Sequence, residues 1–134
     1  MKKFLTFIIM VYIFNGCAQL PDNVKISLGN GEYKILEVKI NGNKMKIPKS
    51  AKFHIDGDRI YGNSGCNSYF AGFSRGSDSI LVSNAGATKM YCANEEDNHF
   101  ENNYLKHLDG EFKISGDDKN TKLQNKNMEI TLTK

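Results

Sequence analysis

The sequence predicts a mainly β fold at the margin of the α+β class: an antiparallel, barrel-like sheet with one α-helix near residues 94–108. Three observations predict it. Short segments of alternating apolar and polar residues follow one another along the chain. Asn-Gly and Asp-Gly pairs, which are typical of hairpins, follow the first two of these segments, and a single segment has helical spacing.

The first 17 residues predict an export signal. Lys2 and Lys3 precede an apolar run from Phe4 to Phe14, which at 11 residues is shorter than the roughly 20 that a membrane-spanning helix needs. A buried N-terminal helix is the alternative, but the segment shows neither amphipathic spacing nor a cap.

Two processing routes fit this signal. Gly16 and Cys17 resemble the end of a bacterial lipobox, whose cysteine is acylated, although Phe14 and Asn15 match the lipobox poorly. The alternative is ordinary signal cleavage after Ala18. We expect the lipoprotein, because an unpaired thiol here would otherwise need its own explanation. Acyl chains contribute about 0.8 kcal/mol per buried CH₂ and would anchor the protein. The expected location is the periplasmic face of the outer membrane, and a soluble periplasmic protein is the alternative.

The mature chain has the size of one domain and is nearly neutral. Removing residues 1–17 leaves 117 residues, enough for a single core. Loss of the two signal lysines lowers the net charge from +3 to +1, with basic and acidic residues interspersed. We therefore expect no nucleic-acid partner.

The mature chain is predicted to begin with a tether over residues 18–31, which contain Pro, Asn and Gly, followed by a domain over residues 32–134. The first strand is predicted at 32–40, and Asn41-Gly42 is the strongest hairpin signal in the chain.

A second hairpin is predicted where Phe53 and Ile55 precede Asp56-Gly57 and Ile60 follows. Two turn-linked strand pairs so early in the domain favour an antiparallel sheet. Further strands are predicted at 77–83, 111–115, 121–124 and 128–134.

The predicted helix begins after Asn94, a candidate N-cap followed by three acidic residues that suit the positive end of a helix dipole. Gly110 is the predicted stop. Apolar residues recur on one helical face: Phe100, Tyr104, Leu105 and Leu108.

Cys66 and Cys92 are the first candidates for chemistry. With Cys17 assigned to the anchor, an even pair in an oxidising compartment favours a disulfide, worth roughly 3–4 kcal/mol at a separation of 26 residues. Two free buried thiols and a catalytic or metal-binding role are the alternatives.

Other chemistry finds little support in the sequence. A catalytic thiol needs a nearby base, and His54, His99 and His107 are expected at the rim or in solvent. Zinc-site spacing is absent, and the acidic run at 95–97 lacks the pattern of a calcium loop. We expect no catalytic residues, no metal and no cofactor.

Two cysteine motifs carry a family resemblance. The sequence "GNSGCN" over residues 62–67, "TKMYC" over residues 88–92 and an acidic helix ending in "YLKHL" together resemble the META domain of the heat-shock protein HslJ family. The resemblance covers 32–134, with Tyr33 where the family commonly has Trp. It implies a compact, mainly antiparallel barrel-like domain in exported or membrane-anchored bacterial proteins linked to stress tolerance, and it supplies no catalytic residues.

The motif residues have structural interpretations. Gly62 and Gly65 permit a positive φ or a close backbone approach, and Asn67 can bond its own turn. Thr88 or Met90 can fill an edge of the core.

The sequence therefore predicts a non-enzymatic envelope lipoprotein that contributes to stress or antibiotic tolerance. Its expected partners are the membrane, through a lipid anchor at Cys17, and an unidentified envelope protein. The alternative is a periplasmic barrel that binds a small apolar ligand, which a side-chain-filled interior would oppose.

Overall fold

The computed structural model describes residues 26–117 and 119–134. The predicted signal, Cys17 and most of the predicted tether lie outside these residues. Within the described part, no helix is long and apolar enough to cross a bilayer.

Eight strands close into an antiparallel barrel, as predicted. Each barrel strand pairs with its neighbours in chain order, and the last pairs back with the first; a two-residue strand extends the edge of the first. The elements are β1 (Gly31–Ile40), β2 (Asn43–Lys44), β3 (Lys52–Asp56), β4 (Arg59–Asn63), β5 (Ser68–Arg75), β6 (Ser79–Ala87), α1 (Glu95–Leu108), β7 (Gly110–Gly116), β8 (Asn120–Gln124) and β9 (Met128–Thr133).

Both predicted hairpins form. Asn41 and Gly42 have φ values of 50° and 80°, the two positive values that a type I′ turn needs. In the second hairpin Asp56 pairs with Arg59, so the turn begins at Gly57 and Asp56 still belongs to β3.

β5 is the strand that the sequence did not predict. Tyr69, Ala71 and Phe73 alternate inward and are buried, whereas Phe70 points outward and is 58% exposed. The Gly, Asn and Ser residues before the strand favoured a turn. The outward aromatic side chain also obscured the period-two pattern.

The helix lies across one end of the barrel. It leaves from the end of β6 and returns at the start of β7, and it buries Phe100, Tyr104 and Leu108. We call this end, where β6 ends and β7 begins, the helix end. The opposite end, where β1 begins and β9 ends, is the entry end.

Buried hydroxyl groups hold the helix on the barrel. The Tyr69 hydroxyl donates to the Lys52 carbonyl oxygen at 2.9 Å, and the hydroxyls of Tyr104 and Tyr69 lie 3.1 Å apart. Burial raises the pKa of both tyrosines above the ordinary value, and the neighbouring Tyr104 adds to the rise at Tyr69. Both side chains therefore stay neutral and hydrogen-bonded.

The helix has the predicted cap. The Asn94 Oδ1 atom accepts hydrogen bonds from the backbone N–H groups of Glu96 and Asp97 at 3.0 and 3.1 Å. The helix ends at Leu108, but Gly110, the predicted stop, is the first residue of β7.

The chain enters the fold earlier than predicted. Leu28 is 1% exposed, and its carbonyl oxygen accepts a hydrogen bond from Arg75 Nε at 2.9 Å. The Tyr33 hydroxyl donates to the Gly29 carbonyl oxygen at 2.8 Å. Residues 26–31 of the predicted tether therefore belong to the folded domain, and Leu28 packs into the core from the entry end.

Candidate functional site

A disulfide joins the two cysteine motifs at the helix end. Cys66, between β4 and β5, is bonded to Cys92, between β6 and α1, and their Cα atoms lie 5.6 Å apart. That separation suits a disulfide without backbone movement. Both thiols are therefore used in a covalent link between the loop that follows β4 and the segment that leads into the helix.

A buried carboxylate lies beside this disulfide. Glu101 is 5% exposed, and its Oε2 atom accepts hydrogen bonds from Asn67 N at 2.8 Å, Cys66 N at 3.2 Å and Ser64 Oγ at 2.9 Å. Its Oε1 atom accepts from Asn67 Nδ2 at 2.6 Å. Four donors from the first motif thus surround one side chain of the helix.

These donors keep Glu101 ionised at neutral pH. Burial on its own raises the pKa of Glu101, but the hydrogen bonds from Asn67, Ser64 and Cys66 stabilise the charged form, and together they hold the pKa below its ordinary value. The charge is balanced by backbone amides, one side-chain amide and one hydroxyl, an arrangement of convergent dipoles that suits an anion.

Asn67 connects this carboxylate to the second motif. Its Oδ1 atom accepts hydrogen bonds from Met90 N at 2.6 Å and Thr88 Oγ1 at 3.0 Å, while Nδ2 donates to Glu101 and also lies 3.4 Å from the Met90 carbonyl oxygen. The Asn67 backbone carbonyl oxygen accepts a hydrogen bond from Ser64 N at 2.9 Å and closes the turn, whereas the Asn67 side chain, which was expected to bond this turn, instead binds the second motif and the helix. We call the resulting unit the clasp, composed of Ser64, Cys66, Asn67, Thr88, Met90, Cys92 and Glu101.

The two motif glycines serve different purposes. At Gly62 a Cβ atom would lie 1.9 Å from the Lys52 carbonyl oxygen, so the backbones approach too closely for any side chain. Gly65 has a φ of +131°, which side-chain-bearing residues rarely adopt, and a Cβ there would lie 3.1 Å from the Asp97 carbonyl oxygen.

Gly62→Ala is expected to destabilise the domain by at least about 2 kcal/mol, because the β3 backbone must move to admit the methyl group. Gly29→Ala is the matched control, since its Cβ would lie no closer than 3.9 Å to Lys134 Nζ. Urea unfolding of both variants checks the prediction. Equal stability of the two variants would contradict the close approach at Gly62.

The predicted packing role of Thr88 and Met90 is wrong. Both side chains are exposed, Met90 by 64%. Thr88 acts through its hydroxyl, which bonds Asn67 and accepts from Ser68 N at 3.2 Å. Met90 acts through its backbone, and because Asn67 binds that backbone from within, the side chain faces outward.

The histidines lie outside the clasp. His54, on the outer face of β3, stacks on Tyr61 with ring centroids 4.5 Å apart; His99 and His107 lie on α1. Each is exposed or half-buried. Among the described residues, no group of three or more His, Cys, Asp or Glu side chains is placed to hold a metal ion.

The barrel interior is filled by side chains. Val38, Phe53, Ile55 and Ile60 have no solvent exposure, and aliphatic and aromatic side chains from all eight barrel strands and the helix pack around them. A cleft of about 390 Å³ lies instead on the outer surface of β6, β7 and β8, where polar and charged side chains line it.

Comparisons with known proteins agree with this architecture. The sequence model of the META domain matches residues 26–134. An NMR structure of a protein from Burkholderia xenovorans is similar with a TM-score of 0.64 and 15% identity, covering 86% of this chain and 96% of that one. A second NMR structure has a TM-score of 0.58 and 17% identity, covering 76% and 86%. No protein of curated function matches the sequence significantly.

Proposed function

The chain belongs to the META domain family, and on that premise we propose that it is a non-enzymatic lipoprotein of the bacterial cell envelope. It is anchored through Cys17 and contributes to stress or antibiotic tolerance by binding an envelope partner. The location we propose for the anchored protein is the periplasmic face of the outer membrane.

The clasp is the observation that carries the non-enzymatic proposal. The groups at the two motifs that could perform chemistry are already engaged within the fold. Cys66 and Cys92 share a disulfide, and both oxygens of Glu101 accept hydrogen bonds from neighbouring residues. A nucleophile needs a free thiolate, and a general base needs a carboxylate that can reach a substrate proton. We therefore infer that these residues stabilise the fold and do not perform chemistry.

Two independent features support the envelope location. Lys2, Lys3 and the apolar run that follows have the form of an export signal, and Gly16-Cys17 supplies an acylation site. The disulfide between Cys66 and Cys92 favours the same compartment, because disulfides persist in oxidising environments.

The alternative function, a barrel that binds a small apolar ligand, is opposed by the packing of the interior. Such a barrel needs an internal cavity of a few hundred Å³ lined by apolar side chains. Here Leu28 packs into the core from the entry end, and Phe100, Tyr104 and Leu108 pack into it from the helix end.

The intact mass of the protein isolated from its own envelope tests this proposal. We expect a chain that begins at Cys17 with acyl chains attached, and a gain of about 2 Da on reduction of the disulfide. The Cys17→Ser variant is the matched control and should lack the acyl mass and leave the membrane fraction. A wild-type chain cleaved after Ala18 without acylation would contradict the lipoprotein, and free thiols at both remaining cysteines would contradict the disulfide.

A further inference from the structure

The polar cleft on the outer surface of β6, β7 and β8 has the size of a small-molecule site. Its volume is about 390 Å³, within the range of roughly 300–1,000 Å³ that is typical of ligand sites. Three of its lining residues lie side by side across the strands, because Lys113 of β7 pairs with Ser79 of β6 and with Gln124 of β8. The cleft is therefore built on the paired strands of the barrel wall.

Acidic side chains lie on the β6 side of this cleft. Asp78 directly precedes Ser79, and the Asp78 carbonyl oxygen accepts a hydrogen bond from Ile114 N at 2.9 Å, which fixes this turn against β7. The Glu111 side chain reaches across from β7, and its Oε1 atom accepts a hydrogen bond from Ser79 Oγ at 2.8 Å. Two carboxylates therefore line the cleft beside Ser79, and we call Asp78, Ser79 and Glu111 the acidic side.

The opposite side of the cleft carries basic and amide groups. Asn125 and Lys126 lie in the turn between β8 and β9, directly after Gln124. The Asn125 Oδ1 atom accepts hydrogen bonds from Asn127 N at 2.9 Å and Met128 N at 2.7 Å, so Nδ2 is the part of this amide that can donate to a ligand. Among the described residues no carboxylate lines this side, and we call Gln124, Asn125 and Lys126 the basic side.

The charges that line the cleft do not neutralise one another. Within the described part of the chain, none of its acidic or basic side chains forms an ion pair. On the adjoining wall, by contrast, Glu129 pairs with Lys122 at 3.1 Å and with Lys39 at 3.5 Å. Opposite charges that share a surface without pairing are complementary to a ligand that carries both signs. The cleft is therefore suited to a zwitterion.

The width of the cleft indicates the length of that zwitterion. Neighbouring strands lie about 4.8 Å apart, so the two spacings from β6 to β8 amount to about 10 Å. An extended dipeptide spans at most about 7 Å, which leaves room for one hydrogen bond at each end. A single amino acid is too short to contact both sides.

We propose that this cleft binds a short peptide that has both a free ammonium group and a free carboxylate group, with a dipeptide as the smallest ligand that contacts both sides. The ammonium group lies between Asp78 and Glu111, and the carboxylate group contacts Lys126 and Asn125 Nδ2. Charge-assisted hydrogen bonds at the two ends supply the affinity and set the direction of binding. This site goes beyond the proposed function and does not depend on the anchor at Cys17.

An NMR titration of the mature chain, residues 18–134, with the dipeptide alanyl-alanine tests the site. We expect saturable shifts of backbone amides at residues 78–79, 111–113 and 124–126. Two blocked dipeptides are the matched controls: N-acetyl-alanyl-alanine lacks the ammonium group, and alanyl-alanine amide lacks the carboxylate group. Each should bind at least about fivefold more weakly, because one end loses its charge-assisted contacts. Equal binding of the three peptides, or no saturable shift at these residues, would overturn the proposal.

Two lysine variants separate the cleft from the general charge of the barrel wall. Lys126→Gln and Lys122→Gln each remove one positive charge, but Lys122 lies outside the cleft and pairs with Glu129. We expect Lys126→Gln to weaken binding of alanyl-alanine at least about threefold, without affecting binding of alanyl-alanine amide or the urea midpoint. Lys122→Gln should leave binding unchanged. Equal effects of the two substitutions, or an equal effect of Lys126→Gln on both peptides, would contradict the assigned carboxylate contact.

Phosphoethanolamine is the last probe, because it carries an ammonium group and a phosphate, as a lipid headgroup does. We expect it to bind more weakly than alanyl-alanine, since it is shorter and has no peptide group. Tighter binding of phosphoethanolamine would overturn the peptide site in favour of a headgroup site. The intact-mass experiment reports on the anchor alone, so failure of this site and failure of the proposed function are distinguishable.

Discussion

Glu101→Gln is expected to lower the free energy of unfolding by about 2–4 kcal/mol at neutral pH. Glutamine keeps the shape of the side chain but replaces one acceptor oxygen with an NH₂ donor. Donors face both oxygens of Glu101, so either orientation of the new amide places donor against donor. Asn67 cannot flip its side-chain amide to remove this clash, because the flip would break the hydrogen bonds that its Oδ1 atom accepts from Thr88 and Met90.

Urea unfolding measures this loss, and Glu96→Gln is the matched control. Glu96 lies on the same helix, but its side chain is 63% exposed and pairs with Lys46 at the surface, where an ion pair contributes at most about 1 kcal/mol. If Glu101→Gln lowers the free energy of unfolding no more than Glu96→Gln does, the buried carboxylate contributes little to stability.

The same variant should alter the response of stability to acid. The pKa of Glu101 is lower in the folded protein than its ordinary value of 4.5. The stability that ionised Glu101 contributes is therefore fully present above about pH 4.5 and is lost as the pH falls through the lowered pKa. The stability difference between wild type and Glu101→Gln should be constant near neutral pH and shrink below pH 4.5. A constant difference down to the acid transition would contradict this linkage.

Removal of the disulfide has the second large expected effect. The Cys66→Ser/Cys92→Ser variant should lose about 3.5 kcal/mol of unfolding free energy, the loop-entropy value for a sequence separation of 26 between the two cysteines. Reduction of the wild type should give the same loss. The hydrogen bonds of Glu101 and Asn67 remain in both cases, so we expect a folded domain of lower stability.

Unfolding with and without reductant measures this effect. Cys17→Ser is the matched control, because Cys17 is outside the disulfide and its replacement should leave both the stability and the response to reductant unchanged. If reduction leaves the unfolding midpoint of the wild type unchanged, the disulfide does not stabilise the domain.

The strands that the sequence predicted well are those whose pattern is set locally. The Asn41-Gly42 turn requires two positive φ values, and the alternation of Phe53 and Ile55 survives in β3. β5 was missed because its outward position carries Phe70, whose ring packs over Gly86 on the neighbouring strand. That contact depends on the pairing of β5 with β6, which no local pattern reveals.

The candidate site was predicted only in part for a similar reason. Both cysteines and Asn67 were identified, but Glu101 was missed because glutamate is rarely buried unless it is paired. One signal was present in the sequence: Glu101 lies three residues before Tyr104 and seven before Leu108, on the apolar face of the helix. Its partners come from residues 64–67, so only the tertiary structure shows why a charge is tolerated there.

The measurement that tests the clasp most directly is an NMR titration of the Glu101 carboxyl group, followed together with the backbone amide protons of Cys66 and Asn67. The clasp predicts a carboxyl pKa below the ordinary value of 4.5 and amide shifts that change with the same midpoint, because both amides donate to Glu101. A carboxyl group that titrates at or above the ordinary value, with amide shifts that do not follow it, would contradict the account.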